Sequence, residues 1–355
     1  MSYKILAINP GSTSTKLAVY EDETVLFEET LRHSAEELAP FDSIMEQSAY
    51  RRTMIDRAFQ DRQMSMDTLD AVVGRGGLLR PLRSGTYAIN EAMLEDLRQA
   101  VNGQHASNLG AVLAHELGEQ LHIPAYIVDP VVVDELHDLA RLSGLPGYER
   151  TSIFHALNQK AVARKLAKEK GVALDELNLI VCHMGGGISV GAHEKGSVVD
   201  VNNALLGEGP YSPERAGGLP VHAMIALCEQ FSSAEVKKKI AGKGGLVAYL
   251  QTNDGREVQR RIQEGDTYAK LVYEGMAYQI AKEIGACATV LKGTVDAIIL
   301  TGGLAYDPFL VESITQRVSF IAPLAVFPGE DEMIALVQGA LRVLKKEEDA
   351  QNYPN

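Results

Sequence analysis

Two stretches of this chain, about half its length apart, repeat one plan. Residues 4–20, KILAINPGSTSTKLAVY, run from an apolar strand (Ile5 to Ile8) into a break at Asn9-Pro10-Gly11, then small hydroxyls from Ser12 to Thr15, then a second strand, Leu17 to Tyr20. The turn EDET and the strand VLFEE complete the unit. Residues 177–201, LNLIVCHMGGGISVGAHEKGSVVDV, do the same: a buried run from Leu179 to Cys182, a turn at Gly185-Gly186-Gly187, a strand from Ile188, a polar turn and a third strand through Val198. Glycine lets backbone approach a ligand closely, and small hydroxyls beside exposed N–H groups donate hydrogen bonds without bulk. Each turn is therefore suited to an anion, above all a phosphate. One such turn would also fit an ordinary surface hairpin. Its recurrence points to a duplicated α/β fold with one loop per half, the two loops gripping a polyphosphate across a cleft.

Composition bounds the partners. A chain of 355 residues, 46% of them hydrophobic, can build two domains with proper cores. The formal charge of −13 argues against nucleic acid or an anionic membrane as partner. It also requires that any phosphate site be made attractive locally, by loops, arginines and a metal. The three cysteines, Cys182, Cys228 and Cys287, lie in apolar stretches and read as reduced core residues. The N-terminus reads as a strand rather than a leader, and no apolar run reaches membrane-spanning length, so a cytoplasmic protein without a membrane partner is expected.

Several residues between the hairpins fall where chemistry is done. The buried strand DAVVG ends at Arg75-Gly76-Gly77, which places a guanidinium at a sheet edge, where doubly wound folds bind ligands. Arg80, followed by Pro81 and Leu82, reads as ordinary structure. Helices are expected over 91–101 and 108–121, with Ser107 or Asn108 as cap and His105 as its neighbour. His115 and His122 read as packed or solvated rings. A strand over 124–128 ends at Asp129-Pro130, a carboxylate that would orient metal or substrate, or else a turn aspartate. His155 starts a helix running to Lys170, and a helix N-terminus favours anions and lowers imidazole basicity. The Gly/Pro-rich loop 202–220 carries Arg215 as its anion contact. Helices follow over 221–231, 234–240 and 258–292, the last broken near Gly265. A strand over 296–300 leads into TGGLAYD, where Gly302 and Gly303 let a flat group lie on the backbone. A strand over 324–327, an acidic turn and a helix over 333–346 complete the pattern, with Asp331 or Glu332 available as a cap.

Gly187-Ile188-Ser189-Val190-Gly191 matches G-x-S-x-G, but an esterase elbow needs a helix after the serine, and this stretch continues as strand. There is no Walker-type Gly-Lys-Ser/Thr sequence either, so nucleotide binding must rest on the paired hairpins.

NPGSTSTK, VVGRGG, HMGGGISVG and TGGLAYD together resemble the carboxylate kinases, the acetokinase family within the superfamily of acetate and sugar kinases, heat-shock ATPases and actin. Within that family the chain resembles the butyrate and branched-chain fatty acid kinases. The resemblance implies a duplicated actin-like (ribonuclease H-like) ATPase fold with two domains around a nucleotide cleft, here 1–150 and 151–332. The helix 333–346 would return to the first domain, and the segment 141–151 would serve as hinge. It implies ATP/ADP and Mg²⁺, with phosphoryl transfer to a short-chain carboxylic acid. Butanoate is foremost, with acetate, propionate and branched-chain acids as alternatives, and a homo-oligomer, dimer or higher, is expected. Asn9, Gly11, Ser12, Thr13 and Ser14 match the first phosphate loop. Arg75 matches the arginine near the acyl group, although the acetate branch has a longer, His-containing segment where this chain has GRGG. Asp129 matches the aspartate in the cleft, His155 the histidine facing the phosphoryl group and Arg215 the second arginine. FHALNQK replaces a Gly-Thr-Ser-His stretch around that histidine. His183, Gly185, Gly186 and Gly187, with Gly302, Gly303 and Leu304, match nucleotide contacts. Asp331 and Glu332 match metal-associated glutamates, with the choice between them open. A sugar kinase using Asp129 as base and an ATP-driven switch are the competing classes, and the switch would call for extra partner-binding segments.

Overall fold

Strand burial shows how the chain is layered. Ile5 to Ile8 of β1 (Lys4–Pro10) are all fully buried, as in a strand covered on both faces. The computed structural model describes residues 2–354. In the first unit β1 pairs antiparallel with β2 (Ser14–Glu21), and β2 with β3 (Thr24–Arg32). On its other edge β1 runs parallel to β4 (Ala71–Arg75), and β4 parallel to β6 (Ala125–Val128). β5 (Thr86–Ala88) and β12 (Gln351–Asn352) extend that edge, giving the order β12-β5-β6-β4-β1-β2-β3. The helices Ser48–Asp61 and Asn108–Leu121 bury their apolar faces on Leu6, Ile8, Leu17, Val19 and Val72. The helix Glu332–Leu344 packs against β1, β4 and β6.

The second unit repeats the scheme. β7 (Asn178–Met184), β8 (Ile188–Glu194) and β9 (Ser197–Val201) form an antiparallel meander, and β7 continues into parallel β10 (Ala297–Gly302) and β11 (Leu324–Pro328). Alternate residues serve opposite faces, the period-two rule of a pleated strand. Leu179 and Val181 join a core with the helix Ala156–Lys170. Ile180, Cys182 and Met184 join another with the helices Thr267–Val290 and Pro308–Val318.

Contacts divide the chain into one unit up to Val133 together with the segment from Asp331, and a second from Asp134 to Glu330. The division thus falls upstream of 150, and the Gly/Pro segment 141–151 belongs to the second unit. Two arginines tie it in: Arg141 pairs with Asp134 at 2.8 Å, and Arg150 bonds Asp200 at 2.9 Å and Glu208 at 3.3 Å. The break near Gly265 separates the helices Gly255–Gln263 and Thr267–Val290. The helices Gly245–Leu250 and Pro308–Val318 and strand β12 are not expected from the sequence pattern. Cys182 and Cys287 are buried, which pushes both thiols up, whereas Cys228 is exposed rather than in a core. Among the described residues no helix is long and apolar enough to cross a membrane.

The approach of β4 to the helix behind it depends on two glycines. A Cβ on Gly74 would lie 2.0 Å from the carbonyl oxygen of Gly110, and one on Gly110 would lie 2.2 Å from that of Arg75. Backbone cannot yield there as a flexible side chain would. Gly110→Ala is expected to destabilise the protein by about 1–3 kcal/mol through overpacking. Thermal unfolding reads this, and an unchanged midpoint would contradict the contact.

Candidate active site

In the first unit, the loop between β1 and β2 closes with a hydrogen bond from Gly11 N–H to the Ser14 carbonyl at 2.7 Å, leaving the Ser12 and Thr13 side chains exposed. Its carbonyls turn inward onto Arg51. That guanidinium donates to the oxygens of Gly11 (2.8 Å), Ser12 (3.2 Å) and Ser14 (2.9 Å), to Thr15 Oγ1 (3.0 Å) and to Gln47 Oε1 (2.8 Å). Arg51 is fully buried, and among the described residues no carboxylate pairs with it. Burial lowers its pKa, but an arginine remains charged. The loop therefore sits on a buried positive charge.

Beside it, Asn9 at the end of β1, Arg75 at the end of β4 and Glu332 at the start of its helix form a triangle. Arg75 donates to Glu332 Oε2 at 2.9 Å and to Asn9 Oδ1 at 3.3 Å, while Asn9 Nδ2 donates to Glu332 Oε2 at 2.6 Å. Asp331 takes the N-cap position with φ 43° but makes no cap hydrogen bond through its side chain. Neither acid of the pair is thus a side-chain cap, and only Glu332 reaches Asn9 and Arg75. Asp129, beyond the end of β6, is 1% exposed and has φ 37°, a strained conformation for a residue with a Cβ. Its Oδ1 accepts from Gly85 N–H at 2.7 Å, and its own N–H donates back to the Gly85 carbonyl.

In the second unit, the β7–β8 turn, the segment after β10 and the start of the helix Gly255–Gln263 line a cavity of 720 Å³. Gly185 and Gly186 form one wall, Gly303 and Leu304 a second, Asp254 and Arg256 a third. Gly302 has φ 89°, and a Cβ there would lie 2.4 Å from the Met184 carbonyl oxygen, so bare backbone brings the two turns together. His155 is the N-cap residue of its helix and stacks on His183, with centroids 3.9 Å apart and planes 13° apart. His155 Nδ1 lies 2.9 Å from Ser189 Oγ, and His183 Nδ1 lies 2.7 Å from Asn158 Oδ1. Glu330 approaches His183 Nε2 at 3.8 Å. The Arg215 guanidinium bonds the Ala204 carbonyl and lies against Gly187, where a Cβ would be 1.8 Å from its Nη1. Desolvation lowers its pKa.

The first unit thus gathers Asn9, Arg75 and Glu332 beside the loop Gly11–Ser14. The second gathers His155 with His183, sets Arg215 against Gly187, and puts Gly185, Gly186, Gly303 and Leu304 around one cavity. Arg80 bonds Asp96 and lies over Tyr353, the structural role expected of it, and His105 bonds Ser107 beside its helix. Sequence reasoning missed Arg51, although Arg51, Ile55, Ala58 and Phe59 share one face of their helix at the spacing of a buried stripe. It also missed Asn158, and the Tyr273 hydroxyl bonded at 2.6 Å to Asp307 in the cavity lining. β8 runs on as strand after Ser189, so there is no nucleophile elbow.

Comparison with known proteins gives the family. The acetokinase family profile matches residues 147–322. Butyrate kinase 1 of Clostridium acetobutylicum is 55% identical over 353 residues, 99% of each chain. This chain belongs to the acetokinase family. A probable butyrate kinase of Clostridium botulinum is likewise 55% identical, over 99% of this chain and 100% of its own length. Among solved structures, an acetate kinase from Porphyromonas gingivalis superposes with a TM-score of 0.80 at 19% identity, covering 96% of this chain and 100% of its own. A propionate kinase from Francisella tularensis gives 0.75 at 18% identity, over 95% and 98%. At such identities the likeness concerns the fold, the duplicated actin-like ATPase fold that the family resemblance implied.

Just after β3, an acid-sensitive group packs against the first loop. His33 is buried, its Nε2 2.9 Å from Thr15 Oγ1 and its Nδ1 3.3 Å from the Tyr50 hydroxyl. Burial, with the Arg51 charge beside it, lowers its pKa from 6.5 to about 4. Above pH 6.5 the ring is neutral folded and unfolded alike. Between 6.5 and 4 only the unfolded chain takes the proton, so stability falls as the pH is lowered, by roughly 3 kcal/mol in all. Urea midpoints at pH 7 and pH 5 should differ less in His33→Gln than in the parent, and equal differences would refute the assignment.

Proposed function

We propose that this chain is an ATP-dependent carboxylate kinase that reversibly transfers the γ-phosphoryl group to butanoate, giving butanoyl phosphate and ADP. The near full-length alignment with butyrate kinases carries this reading. A carboxylate is already an anion and needs no base to activate it. The chemical task is to relieve repulsion between two anions and align them, which is how phosphoryl transfer is mainly catalysed.

Each unit supplies part of that task. In the first, Arg75 takes the acid's carboxylate, and the loop Gly11–Ser14 over the buried Arg51 takes phosphate. In the second, the 720 Å³ cavity takes the nucleoside, Gly185 to Gly187 contact its phosphates, and Arg215 and His155 donate to the transferring group. Asp129 orients the reacting groups from the end of β6. Among the described residues no set of three or more His, Cys, Asp or Glu side chains could enclose a metal by itself. The oxygen donors of Glu332 and Asn9 fit a hard cation that arrives on nucleotide phosphates, as Mg²⁺ does. Bound there, Mg²⁺ supplies neutralisation of phosphate charge, and Glu332 rather than Asp331 would hold it. The alkyl tail contributes about 0.8 kcal/mol per buried CH₂, so small pocket differences shift preference along the acid series.

Hydroxamate trapping with ATP and a panel of short acids tests the reading. Acyl hydroxamate should form most efficiently with butanoate, and none from any acid between acetate and valerate would overturn it. His155→Ala and Arg215→Ala should each lower kcat about 100-fold or more with an unchanged circular dichroism spectrum. Full activity in a folded variant would remove that residue from the mechanism. Glu332→Gln should raise the Mg²⁺ requirement more than Asp331→Asn does, and the reverse order would transfer the metal role to Asp331.

A further inference from the structure

The G-x-S-x-G stretch is not a nucleophile elbow, yet its serine is fully buried one hydrogen bond from His155. On β8, Ser189, Gly191 and His193 face away from the apolar core formed by Ile188, Val190 and Ala192. Gln159, in the first turns of the Ala156–Lys170 helix, makes its hydrogen bonds to that polar stripe. Its Nε2 donates to the Ser189 carbonyl at 3.0 Å and to Ser189 Oγ at 2.8 Å. Its Oε1 lies 3.0 Å from His193 Nε2. A Cβ on Gly191 would lie 2.6 Å from that same Oε1, which explains the second glycine of the motif.

Counting protons gives this chain of contacts a direction. A backbone carbonyl only accepts, so the Ser189 carbonyl fixes which end of the Gln159 amide is nitrogen. Both N–H groups of that nitrogen are then spent on Ser189. The Gln159 oxygen must receive a proton from His193 Nε2, and His193 Nδ1, buried without a partner, is the bare nitrogen of a neutral ring. Ser189 Oγ accepts from Gln159 and has one proton of its own to place. Ser189 is 0% exposed, and His155 Nδ1, at 2.9 Å, is the acceptor within its reach. Were His155 Nδ1 protonated, that buried hydroxyl hydrogen would be stranded, at a cost of about 1–3 kcal/mol.

We propose that Gln159 and Ser189 form a directional hydrogen-bond relay that holds His155 as its neutral Nε2–H tautomer, and that both are positioning residues for phosphoryl transfer. The tautomer follows from the ligand-free protein alone, whereas its catalytic use rests on the carboxylate kinase reading. With Nδ1 occupied as an acceptor, the proton that His155 can offer a phosphoryl oxygen is on Nε2. The neighbouring His183 is set in the opposite sense by the same stretch of helix. Asn158 Nδ2 donates to the Glu330 carbonyl at 2.8 Å, so Asn158 Oδ1 accepts from His183 Nδ1–H. Consecutive amides thus set Nδ1 of two stacked rings oppositely, as an acceptor in His155 and as a donor in His183.

The test combines a spectrum with kinetics on the full chain. In ¹⁵N-histidine-labelled, ligand-free protein, His155 Nδ1 should resonate as an unprotonated, pyridine-type nitrogen and Nε2 as a protonated one. Ser189→Ala should mix the two tautomers and lower kcat by about 10–100-fold, the loss seen when metal-ligating histidines lose an outer hydrogen-bond partner, with KM values nearly unchanged. Ser189→Thr, which keeps the hydroxyl, should restore tautomer and most of kcat. Gln159→Glu, which can accept but not donate, should draw the serine proton to itself and raise the Nδ1–H population. A protonated Nδ1 in the parent protein overturns the relay. The expected tautomer with unchanged kcat in Ser189→Ala overturns the positioning role. Failure to trap any acyl hydroxamate with the parent protein would instead sink the kinase reading, leaving the tautomer assignment to stand or fall on the spectrum.

Discussion

A loop that presents its N–H groups to an anion must hide its carbonyls, and the carbonyls need partners away from the ligand. This constraint shapes both hairpins. In the first unit the partner is Arg51, a buried guanidinium with five donors and, among the described residues, no carboxylate to neutralise it. Replacing a carboxylate by carbonyls leaves net positive potential beneath the loop. In a chain with formal charge −13, that is a local answer to a global disadvantage. Burial keeps the neighbouring His33 neutral, and the Arg51 charge adds to that effect. The second unit solves the same problem with neutral groups: the Gly186 carbonyl accepts from Ser212 Oγ at 2.6 Å, and Arg215 instead lies against Gly187.

Much of this was legible in the sequence, for physical reasons. Apolar runs and glycine turns mark β1–β2 and β7–β8 because a strand covered on both faces and a tight turn each impose a local rule. Arg75 and Asp129 were visible because each succeeds a short apolar run, and strand ends are where parallel sheets present side chains. His155 was visible because the helical run from Ala156 to Lys170 marks its own start. Each of these is a one-dimensional signal.

The rest depends on what lies opposite. Arg51 stands in YRRTMIDRAF, where a charged helix is the obvious reading, and only the loop above it makes burial of a guanidinium tolerable. Asn158, Gln159 and Lys160 are three consecutive buried polar residues, which no amphipathic period describes. They are satisfied by β8, by the Glu330 carbonyl, and by Glu135 at 2.6 Å from Lys160. The unit boundary at Val133 was hidden for the same reason: Arg150 looks like loop until Asp200 and Glu208, remote in sequence, are placed beside it. Pairwise satisfaction between distant residues leaves no trace in local composition.

The first unit is made from two separated parts of the chain, with the whole second unit encoded between them. Arg75 and Glu332 are 257 residues apart in sequence. At usual rates of translation a ribosome needs roughly 10–50 s to span that interval. During that time β1 and β4 exist without the helix that packs on them, whereas Asp134 to Glu330 emerges as one uninterrupted segment and can fold first. Arg75 and Asn9 then wait for their carboxylate until that segment has been made. In this protein the order of synthesis places assembly of the Asn9–Arg75–Glu332 triangle after the second unit, so a chain that stalls anywhere before Glu332 cannot present a completed anion site.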